Sequence, residues 1–364
     1  MEPKVLDAET CIEAAVRFFR EEVRPNAQKL DNDPEALRQA IKRLGELNAL
    51  SIKRPLKYGG PAANPNQVRR FQIEAARASG TFAFLATQHQ SATSMISDGS
   101  NETLKQEYLP KMANGEKLLG IAFSQLRRAG PPVLTATPVD GGYELNGLAP
   151  WVTGQGIYRE CVIGATLPDG RALLAILPFP TVEQSGLKPS PPMRLAAMEA
   201  AQTISLQIEK FFIPNERVVD VKPMGWISRS DEINVALQGY FAIGCAWAGL
   251  DVLKDAADKK NLEFLYEAHA KLSAEVEECT ETLRVTQEKF AATQEDPPER
   301  LNARAWAIQL AAKCAHAAVV ASSGAANSLS HPAQRIYREA LVFTVSAQTT
   351  AIMDATLQRL TGVK

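Results

Sequence analysis

The chain is short of several things, and each shortage excludes a class of protein. It has four histidines and five cysteines in 364 residues. The cysteines stand at 11, 161, 245, 279 and 314, without the paired spacing of a zinc site or the close, even framework of a disulfide scaffold. Free buried thiols in a reducing, cytoplasmic compartment are the plain reading, and no metal ligands are expected. An excess of one charge is missing too. Forty basic residues against 41 acidic ones leave a net charge of -1, so nothing electrostatic favours nucleic acid or an anionic membrane as partner. No apolar run is expected to approach the roughly 18–20 residues that span a bilayer. Met1-Glu2-Pro3-Lys4 lacks the basic-then-apolar layout of a signal peptide. Internal repeats and low-complexity segments are absent.

What is present is an ordinary globular composition, 45% hydrophobic and 22% charged, with length enough for two or three domains or one large composite unit. Residues 9–23 place Ile12, Ala15, Val16, Phe19 and Val23 at the spacing of an amphipathic helix. Residues 31–47 repeat the pattern, with Asp33-Pro34 as N-cap and first-turn pair. Further helices are predicted over 66–78, around 91–96 and over 102–114. Between 118 and 219 the period shifts to two, and the turns Asp140-Gly141-Gly142 and Pro168-Asp169-Gly170 mark hairpins. A further strand is expected over 203–212. Short strands so punctuated point to a small barrel or sandwich. After residue 231 four long helical runs follow, over 233–259, 262–290, 300–328 and 334–360. They break at Lys259-Lys260-Asn261, Asp296-Pro297-Pro298 and Ser330-His331-Pro332, as an antiparallel bundle would.

One stretch reads Gly147-Leu148-Ala149-Pro150-Trp151-Val152-Thr153, after Tyr143-Glu144-Leu145-Asn146. It resembles the flavin-face strand of acyl-CoA dehydrogenases. Other colinear matches are Tyr58-Gly59-Gly60, Leu104 to Pro110 with Gly115-Glu116, Phe212-Ile213-Pro214 and Arg335-Ile336-Tyr337-Arg338-Glu339-Ala340. The resemblance implies an α+β fold: an N-terminal helical domain (1–118), a middle β-barrel (119–222) and a C-terminal four-helix bundle (223–364). It implies that Trp151 covers the isoalloxazine and that Thr153 reaches flavin N5. Phe123, Ser124, Gly324 and Thr349 complete the cofactor set so implied. FAD is the expected cofactor, with FMN left open, and the expected substrate is a small molecule such as an acyl-CoA. A homo-oligomer, dimer or tetramer, is expected as well.

The chain also departs from that pattern. The usual T-E-P-x-x-G-S-D reads Ser124-Gln125-Leu126-Arg127-Arg128-Ala129-Gly130, and Arg127 and Arg128 stand either as phosphate partners or as a solvated basic turn. The R-x-x-F-G segment is shortened within residues 258–265, and Q-x-x-G-G becomes Ser322-Ser323-Gly324-Ala325-Ala326. The catalytic glutamate position falls on Ala347, and the minority position on Asn234. Neither accepts a proton, whereas dehydrogenation of an acyl chain needs a base at the α-carbon. Asp231 and Glu232 read as a helix N-cap and solvated first turn. His89 is either a proton-transfer group or a hydrogen-bonded core histidine. Three functions stay open: a flavin oxidoreductase with a diverged substrate, a flavin monooxygenase of the same fold, or a catalytically retired acyl- or protein-binding scaffold.

Overall fold

The structure, a computed structural model, describes residues 7–295 and 298–362. The first four residues and the Asp296-Pro297 part of one predicted helix break lie outside the described residues. The N-terminal helices are α1 (Ala8–Phe18), α2 (Ala27–Asn32), α3 (Pro34–Glu46), α4 (Pro65–Ala78), α5 (Gly80–Asp98) and α6 (Glu102–Met112). The sequence signals act as expected at their starts. Asp33 accepts from the backbone N–H of Glu35 at 2.9 Å and of Ala36 at 3.2 Å, with Pro34 in the first turn. Asn64 and Gln67 form a reciprocal capping box before α4, which satisfies donors that a helix start leaves unpaired. That cap at Asp33 splits the predicted 31–47 run into α2 and α3.

The middle strands are β1 (Leu119–Ala122), β2 (Leu134–Val139), β3 (Gly142–Val152), β4 (Glu160–Thr166), β5 (Ala172–Pro178), β6 (Leu187–Pro189), β7 (Ile204–Pro214) and β8 (Val218–Lys222). They run in the order β6-β7-β3-β2-β4-β5-β8, with β1 parallel to β4. Two halves, β6-β7-β3-β2 and β1-β4-β5-β8, meet at the single register pair Thr135–Thr166. The β-domain is thus one eight-stranded sheet whose path ends at β6 and β8.

The C-terminal helices are α7 (Trp226–Asn234), α8 (Gly239–Lys260), α9 (Glu263–Thr293), α10 (Pro298–Ser322), α11 (Pro332–Val345) and α12 (Thr350–Thr361). Two predicted runs are corrected here. The first begins at Gly239, because residues 226–234 form a helix of their own. The fourth breaks at 346–349, where Ala347 takes φ +50° and the Thr349 hydroxyl caps α12. Close approach explains the glycines of α8. A Cβ on Gly244 would lie 2.4 Å from the Ile73 carbonyl oxygen of α4, and one on Gly249 2.7 Å from Cys314 of α10. The expectation about apolar runs is corrected at one place: within 226–260 the chain is long and apolar enough, by composition alone, to cross a membrane. Most of that stretch is buried inside the protein, where α8 packs between α4 and α10.

Asp31 ties the three parts together. Only 2% exposed, it accepts from Thr81 of α5 (2.8 Å), from the Met198 N–H of the β-domain (3.3 Å) and from Arg338 of α11 (2.7 Å).

Candidate functional site

β1 runs into Phe123 and then a 3₁₀ turn, Ser124–Arg127, that packs on β3 and β4. Gln125 pins this turn by donating to the carbonyls of Ala122 (2.9 Å) and Gly164 (2.7 Å). Gly164 is required there, since a Cβ would stand 2.7 Å from Leu126 and 2.9 Å from Phe123. Within this fixed turn the Ser124 hydroxyl oxygen is buried and has no hydrogen-bond partner in the protein. A buried polar group left so costs about 1–3 kcal/mol. Such a group is expected to meet a ligand atom.

Trp151 sits in an irregularity of β3, between the register pairs Ala149–Leu206 and Val152–Ile204. The bulge turns its indole outward, 52% exposed, while Thr153 two residues on is buried at 6%. The Thr153 hydroxyl lies 3.0 Å from that of Thr203. The Gly154 N–H donates to the Ala201 carbonyl at 2.8 Å, locking the end of β3 to the approach to β7. A Cβ on Gly120 would lie 3.1 Å from the Thr153 carbonyl oxygen, so β1 and the end of β3 run side by side. Phe123, Ser124, Trp151 and Thr153 thus come together on adjoining elements.

Gly324 and Thr349 do not join them by any hydrogen bond among the described residues. Gly324 lies exposed in the turn Ser323–Asn327, where an added Cβ would meet nothing within 4 Å. Thr349 accepts from the Ile352 N–H at 3.3 Å as the cap of α12. Lys260 reaches the same turn as Gly324, donating to the Ala321 carbonyl (2.7 Å) and the Ser323 hydroxyl (3.0 Å).

Arg127 is neither a solvated turn residue nor a free phosphate partner. Its guanidinium grips Asp231 of α7 through two bonds of 2.8 and 2.7 Å, 4.9 Å from the Phe123 ring centroid. Asp231 therefore lies late in its helix, not at an N-cap. Glu232 pairs with Arg229 at the surface and Arg128 is exposed.

Both positions that could carry a base are without a carboxylate. Asn234 turns its amide back onto the Ser230 carbonyl at 2.7 Å. Ala347 stands in the α11–α12 turn, and the preceding Ser346 carbonyl accepts from Arg304 at 3.2 Å. Arg304 is 1% exposed and burial lowers its pKa to about 10. Arg300, one turn earlier on α10, donates to the Ile233 carbonyl beside Asn234 at 3.4 Å. Sequence reasoning missed this pair of buried arginines. Their only signal is four-residue spacing inside an otherwise apolar helix, which solvated arginines share.

His89 is a core histidine with no exposed surface. Its Nδ1 accepts from the Leu119 N–H at 3.1 Å and its Nε2–H donates to the Met112 carbonyl at 2.8 Å. Burial lowers its pKa to about 4, and with both nitrogens occupied it has no proton to offer a substrate. His331 caps α11 by accepting from the Ala333 N–H, and the His316 ring lies 5.8 Å from Tyr337. Among the described residues no His/Cys/Asp/Glu group is arranged for a metal, and all five cysteines are buried and unpaired. A surface groove of about 450 Å³ opens beside α2 and α3, lined by Glu22, Lys29, Asp33 and Arg43 among others. It contains none of the candidate site residues.

Comparison with known proteins bears on the family and the fold. Residues 7–116 match the family model "Acyl-CoA dehydrogenase, N-terminal domain". Mitochondrial isovaleryl-CoA dehydrogenase of Solanum tuberosum is 28% identical over 218 residues, 57% of this chain and 52% of that protein. The chain thus spans about half the length of such relatives. The 3-(aryl)acrylate reductase of Clostridium sporogenes (strain ATCC 15579) is 25% identical over 252 residues, 67% of each chain. Glutaryl-CoA dehydrogenase from Mycobacterium smegmatis shares the fold, with a TM-score of 0.81 at 17% identity over 99% of this chain and 96% of that one. Over residues 7–116 the chain is thus similar to the acyl-CoA dehydrogenase N-terminal domain, and over its whole length it shares the acyl-CoA dehydrogenase fold.

Proposed function

We propose that this chain is a flavin-dependent oxidoreductase, with FAD as its cofactor and a substrate that has diverged from the ordinary acyl-CoA ester. The observation that carries the reading is the partnerless buried hydroxyl of Ser124, held beside a strand end that presents an exposed indole and a buried threonine. Those groups fit a flavin. Ser124 offers a hydrogen bond to its polar edge, Trp151 a face for its ring system, and Thr153 a hydroxyl toward its redox-active nitrogen. When bound, the flavin supplies the two-electron redox step. The chain supplies orientation and hydrogen bonds, and the β3–β7 lock keeps that strand end from moving. Ala347 and Asn234 cannot accept a proton, so the ordinary base-assisted removal of an α-proton has no group at either position.

That vacancy supports a second reading, a flavin monooxygenase of the same fold. Oxygen-dependent turnover with supplied reduced flavin would select it over dehydrogenation. Five buried, unpaired cysteines support a reducing, cytoplasmic compartment.

The test is the visible absorption spectrum of the purified protein, taken before and after incubation with FAD and desalting. Retained flavin bands are expected, and Trp151→Ala should weaken retention because base-stacking surface is lost. A protein that stays colourless with both FAD and FMN overturns the reading in favour of a retired acyl- or protein-binding scaffold.

A further inference from the structure

The hydroxyl pair at the end of β3 leaves one proton unaccounted for. A threonine hydroxyl has one donor and two acceptor lone pairs. Thr153 and Thr203 face each other at 3.0 Å, and both side chains are buried, at 6% and 4% exposure. One of the two protons fills the gap between them. The other finds no acceptor among the described residues, because that contact is the only side-chain hydrogen bond either residue makes there. A buried pair with a spare donor is built to meet an acceptor that comes from outside the chain.

Both backbones are held, so the neighbours of each hydroxyl decide which one is presented. The Thr203 carbonyl accepts from the Met193 N–H at 2.8 Å, and the next residue, Ile204, pairs with Val152 in the sheet. Gln202, just before it, is held at φ +50°, with its carbonyl accepting from Gln155. Thr203 is therefore anchored on both sides. Thr153 lies beyond the last residue of β3, next to the exposed Trp151.

We infer that Thr203 is a positioning residue: it donates its proton to the Thr153 oxygen, so that the Thr153 proton is aimed outward at an acceptor nitrogen or oxygen of the bound ligand. The inference rests on the flavin reading above, in which that acceptor is the redox-active ring nitrogen. A hydroxyl that already accepts a hydrogen bond is also polarised into a stronger donor. Removing Thr203 therefore weakens a bond in which Thr203 takes no part.

The experiment compares Thr203→Val, Thr203→Ser and Thr153→Val with the unaltered protein, all loaded with FAD. The readouts are the flavin reduction potential, the position of its visible bands and its dissociation constant. Thr153→Val should bind FAD about five-fold more weakly, the worth of one hydrogen bond, and lower the potential, because a donor that draws on the ring nitrogen is lost. Thr203→Val should shift the potential and bands in the same direction by a smaller amount. Thr203→Ser, which keeps the hydroxyl, should restore both. A flavoprotein whose potential and bands are unchanged by Thr203→Val overturns this inference and leaves the flavin reading standing. A protein that takes up no flavin overturns both.

Discussion

At the scale of single residues, burial decides which polar groups are structural and which face a ligand. His89 has the chemistry of a proton shuttle, yet its two nitrogens are spent on Leu119 and Met112. Its consequence is pH-dependent stability. Free histidine titrates near 6.5, and burial holds His89 at about 4. Between those values the unfolded chain takes up a proton that the folded one refuses. The stability from neutral His89 is therefore complete above pH 6.5 and is lost as pH falls to about 4. Integrated over that window the loss is about 3 kcal/mol. Glu339 acts in the opposite sense, since burial raises its pKa, so the slope must be assigned by comparison. Urea unfolding of the protein and of His89→Gln between pH 7 and 4 is the measurement, with the pH scale set by the free-histidine range. The acid-side decline should be shallower in the variant, and equal slopes would show that His89 titrates normally. The same principle explains what was legible. Trp151 and Thr153 were singled out in the sequence by the resemblance of their segment to a flavin-face strand, and the structure puts Trp151 in β3 and Thr153 just past its end. Thr203 and Gln125 were not singled out, because a lone threonine or glutamine signals nothing until the fold brings its partner within 3 Å.

At the scale of elements, caps and turns were the most readable features and long helical runs the least. Asp33-Pro34 and Ser330-His331-Pro332 carry side chains whose hydrogen bonds start a helix, and both do so here. The break at 346–349 has no proline or glycine. Its signal is an alanine in left-handed backbone, which the sequence does not display. Asp31 is a similar case. It lies in a two-turn helix with an ordinary pattern, yet it joins α2 to α5, the β-domain and α11. Asp31→Ala leaves Arg338, Thr81 and the Met198 N–H to find other partners at a joint of three parts. The expected loss is about 3 kcal/mol, in the range for breaking one side of a buried ion pair. Denaturant unfolding followed by both tryptophan fluorescence and circular dichroism would read it. A change under about 0.5 kcal/mol, the size of an ordinary surface substitution, would mean that the joint is held by apolar packing alone.

At the scale of the whole molecule, the surface is the part still to be explained. Tyr337, Leu341 and Val345 recur every four residues along α11 and are 47–55% exposed. On α12, Met353, Leu357 and Leu360 are 44–62% exposed. Two consecutive helices thus present apolar stripes in addition to the faces they bury against α10 and α8. Scattered exposed leucines need no account, but contiguous apolar helix faces mark association surfaces. The opening between α11 and α12 is also the turn that carries Ala347 and Thr349, so whatever covers these helices lies against part of the candidate site. The proposed occupant is a second copy of the chain, in keeping with the oligomer expected from the sequence. A charge introduced at the centre of each stripe, as in Leu341→Asp with Leu357→Asp, would be buried unpaired in such an assembly, at a cost of several kcal/mol. Light scattering coupled to size exclusion should then show the unaltered chain as the larger assembly and the double variant as a folded monomer. If both run as monomers, or both keep the same larger mass, the α11–α12 face is not where copies of this chain meet.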